Sequence, residues 1–138
     1  MADHNIEHAQ HFMSRFTVNG VNPSDFQDVM QTLTRWDEWC EAWSKRAKIH
    51  EDLGRAALEA RQFASAGDHL GRAAATYHFA KYLFVNDMKQ MRAAHMKAVE
   101  CHTLALPHQI HPGERVLIPY EGHQLAAVFR KPAGVKNP

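Results

Sequence analysis

Residues 108–134 read HQIHPGERVLIPYEGHQLAAVFRKPAG. Val116, Ile118 and Tyr120 alternate with Leu117 and Pro119. After Glu121-Gly122-His123, Leu125, Ala127 and Phe129 alternate with Ala126, Val128 and Arg130. Period-two alternation on both sides of a Gly-containing turn is the pattern of a β-hairpin. Pro119 has no N–H to give to a ladder, so its strand is expected at a sheet edge. Two strands alone are marginal in water and need more strands or a helix layer. Two arrangements meet that need: the hairpin opens a larger sheet, or it folds onto the rest of the chain as a β-appendage. The segment after it, Pro132-Ala133-Gly134-Val135-Lys136-Asn137-Pro138, has the composition of a connector. An orphan hairpin followed by a connector gives the expectation of the front part of a larger protein.

Upstream the period changes to that of helices. Residues 4–17 read as one helix, ended by Asn19-Gly20, and Asn22-Pro23-Ser24-Asp25 starts a second. A third runs from about Arg35 to Arg61. Its segment 36–43, WDEWCEAW, holds every tryptophan of the chain, and Trp36, Trp39 and Trp43 fall on one stripe with Cys40, Ala47 and His50. A fourth covers residues 64–85. A fifth starts at Asn86-Asp87 and runs to Leu106, where Pro107 stops it. Glycines and alanines crowd helices three and four, which points to close backbone approach. The string Leu-Gly-Arg-Ala-Ala occurs at 53–57 and again at 70–74, an echo of helical repeats without a third copy. The expected fold is therefore mainly α: about five helices over 1–107, a β-hairpin over 108–132 and a connector over 133–138.

Composition narrows the function classes. The chain has 138 residues, enough for one domain with a real core. Its 16 Lys and Arg nearly cancel 15 Asp and Glu, so no basic face for nucleic acid is implied. No apolar run is long enough to span a bilayer, and the N-terminus lacks a signal-peptide pattern, which makes a cytoplasmic location the expectation. Cys40 and Cys101 lie in separate helices without CxxC spacing and read as buried thiols. His4, His8 and His11 share a helix face that could hold zinc, but no acidic or Cys ligand of matching spacing accompanies them, so they read as solvated surface and no metal or cofactor is expected.

Several stretches, in order, resemble a known family: Ser14-Arg15-Phe16 with Gly20-Val21 and Pro23; Asp25-Phe26-Gln27; Trp36-Asp37-Glu38-Trp39-Cys40; Tyr77 to Leu83; the Pro107 break; and the hairpin ending Phe129-Arg130-Lys131-Pro132. Together they resemble the N-terminal helical cap region of the α/β-hydrolase family that includes 2,6-dihydroxypseudooxynicotine hydrolase, a carbon–carbon bond hydrolase. The resemblance implies that the hairpin opens an α/β-hydrolase sheet, and that a serine nucleophile, a histidine base and an acid lie downstream. This chain departs from the family pattern by lacking them. Its serines are Ser14, Ser24, Ser44 and Ser65, and none stands in Gly-x-Ser-x-Gly. No catalytic residue is expected here.

In that reading the chain shapes the site for a small aromatic, ketone or ester substrate, and its partner is its own catalytic domain. The candidates for substrate contact are Trp39, Trp43, His50, Tyr77, His78, Lys81 and Tyr82. Each has a plainer reading as core or helix packing. Asp37, Glu38 and Glu41 are acids near a helix start and read as dipole partners rather than catalysts. The competing function, of another class, is a self-contained helical interaction module whose surplus apolar faces form a homodimer or bind a peptide.

Overall fold

The computed structural model of the chain describes residues 3–131 and Gly134. Apart from Gly134, the expected connector at 133–138 lies outside the described residues, as does Pro132. Six α-helices precede the hairpin among the described residues: α1 His4–Gln10, α2 Met13–Val18, α3 Pro23–Thr32, α4 Trp39–Glu59, α5 Phe63–Lys81 and α6 Met88–Ala105. Single 3-10 turns, Trp36–Glu38 and Leu106–His108, sit before α4 and after α6. The strands are β1 Glu114–Tyr120 and β2 His123–Phe129. The fold is mainly helical with a two-stranded antiparallel hairpin at the C-terminal side. No helix among the described residues is long and apolar enough to cross a membrane.

Helix starts follow local side chains. Asn22 accepts from the Ser24 N–H with Pro23 in the first turn, and Asp87 accepts from Lys89 and Gln90 N–H. Asp3 caps α1 through the Asn5 N–H, and its second oxygen accepts from the Trp36 N–H at 2.8 Å, which ties the first helix to the start of the longest one. Glu38 accepts from Thr34 and Arg35 N–H. Asp37 pairs with Arg35. Glu38 thus caps the helix start, and Asp37 is held by the Arg35 guanidinium.

Helix ends differ from the sequence expectation in three places. The single helix over 4–17 is two, broken at His11-Phe12. The long helix stops at Glu59 because Arg61 takes a left-handed φ of 56°; Gln62 N–H then bonds Ala57 O and Arg61 N–H bonds Leu58 O. That is the usual glycine-ended stop built on an arginine. The fourth helix ends at Lys81, not 85, because Leu83 also has φ 56° and swings Phe84 back into the core.

The helices share two apolar clusters. One is aromatic: Phe16 of α2, Phe26 of α3, Trp39 and Trp43 of α4, and Phe79 of α5 pack ring on ring, with Phe16 and Phe79 stacked at 3.7 Å. Trp39 Nε1 donates to Phe79 O at 3.0 Å. The other is built from small residues where α4, α5 and α6 run side by side, among them Ala47, Ala73, Ala98, Cys101 and Ala105. Here the two Leu-Gly-Arg-Ala-Ala copies explain themselves. Leu70 of the second sits on Gly54 of the first, where an added Cβ would lie 2.6 Å from Leu70 Cγ. Leu70 is buried but Leu53 is exposed, so the copies occupy inequivalent positions and are one helix contact, not a repeat.

The hairpin register runs from Glu114 opposite Phe129 to Tyr120 opposite His123. Glu121 and Gly122 make a two-residue turn, both at positive φ (46° and 77°), the type I′ geometry that matches strand twist. Its link to the body is narrow: Gly113 N–H bonds Leu106 O, Arg130 bonds Gln109 Oε1, and β1 touches the Leu106–His108 turn.

Gly67 lets that turn lie against α5, because an added Cβ would run into the His108 carbonyl. Gly67→Ala is expected to destabilise by about 1–3 kcal/mol, since backbone must move. Gly71→Ala meets only the flexible end of Gln109 at 3.4 Å and is expected to be neutral or to gain up to about 1 kcal/mol of helix propensity. Thermal melts of both variants check this, and equal losses would contradict it.

Candidate functional site

The seven candidate residues do not converge. Trp39 and Trp43 are 1% and 0% exposed and lie inside the aromatic cluster. Neither indole offers surface to a ligand, so the expected substrate contact is not available to them in this fold. The stripe faces α2, α3 and α5 because Phe16, Phe26 and Phe79 supply the rings that cover it. The other five fall into three places.

His50, on α4, is buried beside Asp25 of α3, with Nε2 at 2.6 Å from Asp25 Oδ2. Arg46 lies 3.4 Å from the other Asp25 oxygen and 2.7 Å from Asp28. The His69 ring of α5 is stacked 6.0 Å from His50. An Asp–His pair is two-thirds of a hydrolytic triad. Here no described group bonds His50 Nδ1, so no serine or cysteine stands beside the pair as a nucleophile. The pair joins α3 to α4.

Tyr77, on α5, belongs to a charge network that the sequence reading did not find. Its hydroxyl donates to Glu51 Oε2 at 2.8 Å. Lys97 and Arg55 donate to Glu51 Oε1, both at 2.9 Å, and each also pairs with Glu100. The network crosses three helices, α4, α5 and α6. Burial of Glu51 would raise its pKa, but the hydrogen bonds from Lys97, Tyr77 and Arg55 outweigh that and hold it at about 2 instead of 4.5. Burial, then the Glu51 hydrogen bond, raises the Tyr77 pKa, and burial with the Glu51 charge pushes the Cys101 thiol to about 11. Both stay protonated at neutral pH and neither is a nucleophile there. Tyr77 also lines a groove of about 470 Å3 with Cys40, Ala93, Ala94, Lys45 and Lys97.

His78, Lys81 and Tyr82 sit at the far end of α5. Burial, then Lys81 and His95, keep the His78 pKa below the ordinary histidine value. Lys81 Nζ lies 3.1 Å from His95 Nδ1, and Tyr82 packs edge-on against Phe79. The adjoining corner exposes Leu83, Val85 and Met88. At the opposite end of the bundle, a wider groove of about 1000 Å3 separates the α2–α3 corner, the first turns of α5 and residues 108–111. Among the described residues, no three His, Cys, Asp or Glu side chains gather as a metal site requires.

The hairpin is the largest unsatisfied feature. Val116, Ile118, Tyr120, Leu125, Ala127 and Phe129 share one face with Glu114 and His123 at its ends; Leu117, Pro119, Ala126 and Val128 share the other with Arg115 and Gln124. Both faces are open, with large apolar side chains from Val128 at 40% to Tyr120 at 56% exposed. A sheet with one wet face alternates apolar and polar residues, whereas strands covered on both faces are apolar throughout. Between residues 116–120 and 125–129 this hairpin is of the second kind, and among the described residues only Val116 and Ala127 are partly covered.

No protein-family model matches the chain, and no curated protein matches it.

The Glu51 network carries a pH signature. Because its folded pKa is depressed, its stabilisation is complete above the unfolded value of about 4.5 and is lost as pH falls towards about 2. Urea unfolding between those pH values is expected to show a loss of up to about 3 kcal/mol from this group. Glu51→Gln is expected to destabilise the protein at pH 7 and to flatten that acid slope; an unchanged slope would contradict the assignment.

Proposed function

We propose that this chain is the substrate-shaping cap portion of an α/β-hydrolase that cleaves a carbon–carbon bond of a diketone-like substrate, or an ester, with the serine nucleophile and its triad partners outside residues 1–138. One observation carries the reading: a hairpin with apolar side chains on both faces, most of them exposed. Such strands fit the opening of a sheet flanked by helices on each side. The ordered stretches quoted above, from Ser14-Arg15-Phe16 to Phe129-Arg130-Lys131-Pro132, support the same family. The groove lined by Tyr77 is the substrate-facing concavity on this reading; Cys40, Ala93 and Ala94 give it apolar surface, and Lys45, Lys48 and Lys97 give it positive charge at its rim. The tryptophans contribute indirectly, by holding the helices that form it. Binding, orientation and exclusion of water are then the work of this region, and the acyl chemistry follows triad logic elsewhere.

A second reading, a helical module that binds another protein, is favoured by the exposed Leu83, Val85 and Met88 corner. The two separate in the coding sequence beyond codon 138. The hydrolase reading expects a Gly-x-Ser-x-Gly elbow within roughly the next hundred codons, the size of one domain. It also expects loss of ester or diketone hydrolysis when that serine becomes alanine, and no turnover above background from residues 1–138 alone. A reading frame without such an elbow, or hydrolysis by the 138-residue chain itself, would overturn it.

A further inference from the structure

The cations of α4, α5 and α6 divide into two groups. Lys45, Arg46, Lys48, Arg55, Arg72 and Lys97 each pair with a carboxylate. Lys81, Lys89 and Arg92 are the rest, and none of them pairs with a carboxylate among the described residues. All three lie at one corner, where α5 ends and α6 begins. Lys81 has a histidine nitrogen, His95 Nδ1, as its neighbour at 3.1 Å. Asp87, the acid of the connection, spends its oxygens on the Lys89 and Gln90 N–H groups and the Gln90 side chain. At the adjoining start of α4, Asp37 is paired with Arg35 and Glu38 caps the turn. The same corner carries aliphatic side chains: Leu83, Val85, Met88 and Met96 are 47–70% exposed. The fold does not ask for them. Burial of Phe84 needs the turn at Leu83, but asparagine or glycine suits a φ of 56° better than leucine does, and a polar side chain at 83 or 85 would meet mostly water.

We propose that this corner docks on an anionic lipid bilayer, with Leu83, Val85 and Met88 entering the interface and Lys81, Lys89 and Arg92 against the headgroup charges. Aliphatic side chains ringed by cations bind such a surface through buried apolar area and electrostatic attraction together. An isologous contact with a second copy would set these three cations against their own kind. A protein partner is the competing occupant, raised by the second reading above. It fits less well, because protein interfaces are anchored by Trp, Tyr and Arg and are depleted in Lys. Here the exposed anchors are aliphatic, two of the three cations are lysines, and Tyr82 packs against Phe79. The hydrolase reading leaves the corner unused. The groove lined by Tyr77 takes Gln90, Ala93, Ala94 and Lys97 from α6. Met88, Arg92 and Met96 lie roughly half a turn away from these around the helix. The hairpin follows the other end of this 18-residue helix, about 27 Å distant. The inference therefore goes beyond the hydrolase reading, and its failure would leave the serine-elbow test, read from the coding sequence, intact.

Co-sedimentation of the purified 138-residue chain with lipid vesicles tests it. Phosphatidylcholine vesicles with about 30% phosphatidylserine are expected to bind the chain at least about tenfold better than pure phosphatidylcholine, and to lose that advantage in roughly 0.5 M salt. Leu83→Asn suits the left-handed backbone and so keeps the fold; it is expected to weaken binding by about fivefold or more, as is Val85→Ser. Lys89→Gln combined with Arg92→Gln is expected to abolish the preference for anionic vesicles. Leu125→Asn, on the open hairpin, is expected to bind like the wild type, which separates the corner from insertion of the strands. Helical circular dichroism should match the wild type throughout. No preference for anionic vesicles, binding indifferent to the corner variants, or equal loss on Leu125→Asn would overturn the proposal. So would a corner-dependent dimer in the absence of lipid, or tighter retention by immobilised poly-glutamate than by the vesicles.

Discussion

The helical body is organised around the indole of Trp39, which is buried and donates its N–H to the backbone oxygen of Phe79. That bond joins the first turn of α4 to the last turns of α5 and fixes how the two longest helices sit together. Around it, Phe16, Phe26, Trp43 and Phe79 fill one another's edges and faces, each aromatic pair adding to its burial. Towards the other end the same two helices approach through Gly54 and Leu70, where bulk would hold them apart. Large residues at one end and small ones at the other let α4, α5 and α6 pack without a cavity-filling side chain from elsewhere.

A consequence is that the body consumes its own aromatic surface. Trp39 and Trp43 are sealed by α2, α3 and α5, and nothing of them remains for the hairpin to lean on. The strands leave the body through Gly113 and a single Arg130–Gln109 hydrogen bond, and then stand with both apolar faces in water. The fold thus divides into a saturated part and an unsaturated one. Any function assigned to the chain has to say what covers the hairpin, because apolar area of that kind costs free energy when left wet. The two polar clusters, Asp25–His50 and Glu51–Tyr77–Lys97, belong to the saturated part. They join helices and bury charge with its partners, the expected use of such pairs in a body this small.

Features set by neighbours in sequence were legible. Asn22-Pro23 and Asp87 marked helix starts because a cap acts over two or three residues. The hairpin was readable as a hairpin because period-two alternation flanks a Gly-containing turn, but its register was not, since His123 belongs to β2 and not to the turn. The ends of α4 and α5 were not, because Arg61 and Leu83 take a backbone conformation that glycine usually signals. The tryptophan stripe was visible as a stripe, yet what it faces depends on Phe16 and Phe79, which lie tens of residues away on other helices. For the same reason the i,i+4 pair of Glu51 and Arg55 could be seen on one helix face, while Tyr77 and Lys97, arriving from α5 and α6, could not. Candidate contacts grouped by sequence stretch were therefore scattered by the fold.

Hydrogen exchange at single amides tests the central claim, that the helical body leaves the hairpin open. In dilute solution the outward amides of Ala126 and Val128 should exchange rapidly while Leu125 and Ala127, bonded within the hairpin, are slower, and the amides of α4 and α5 are slowest of all. Slow exchange at all of these strand amides at the lowest concentration would mean that the helices already cover the hairpin, and would contradict the account.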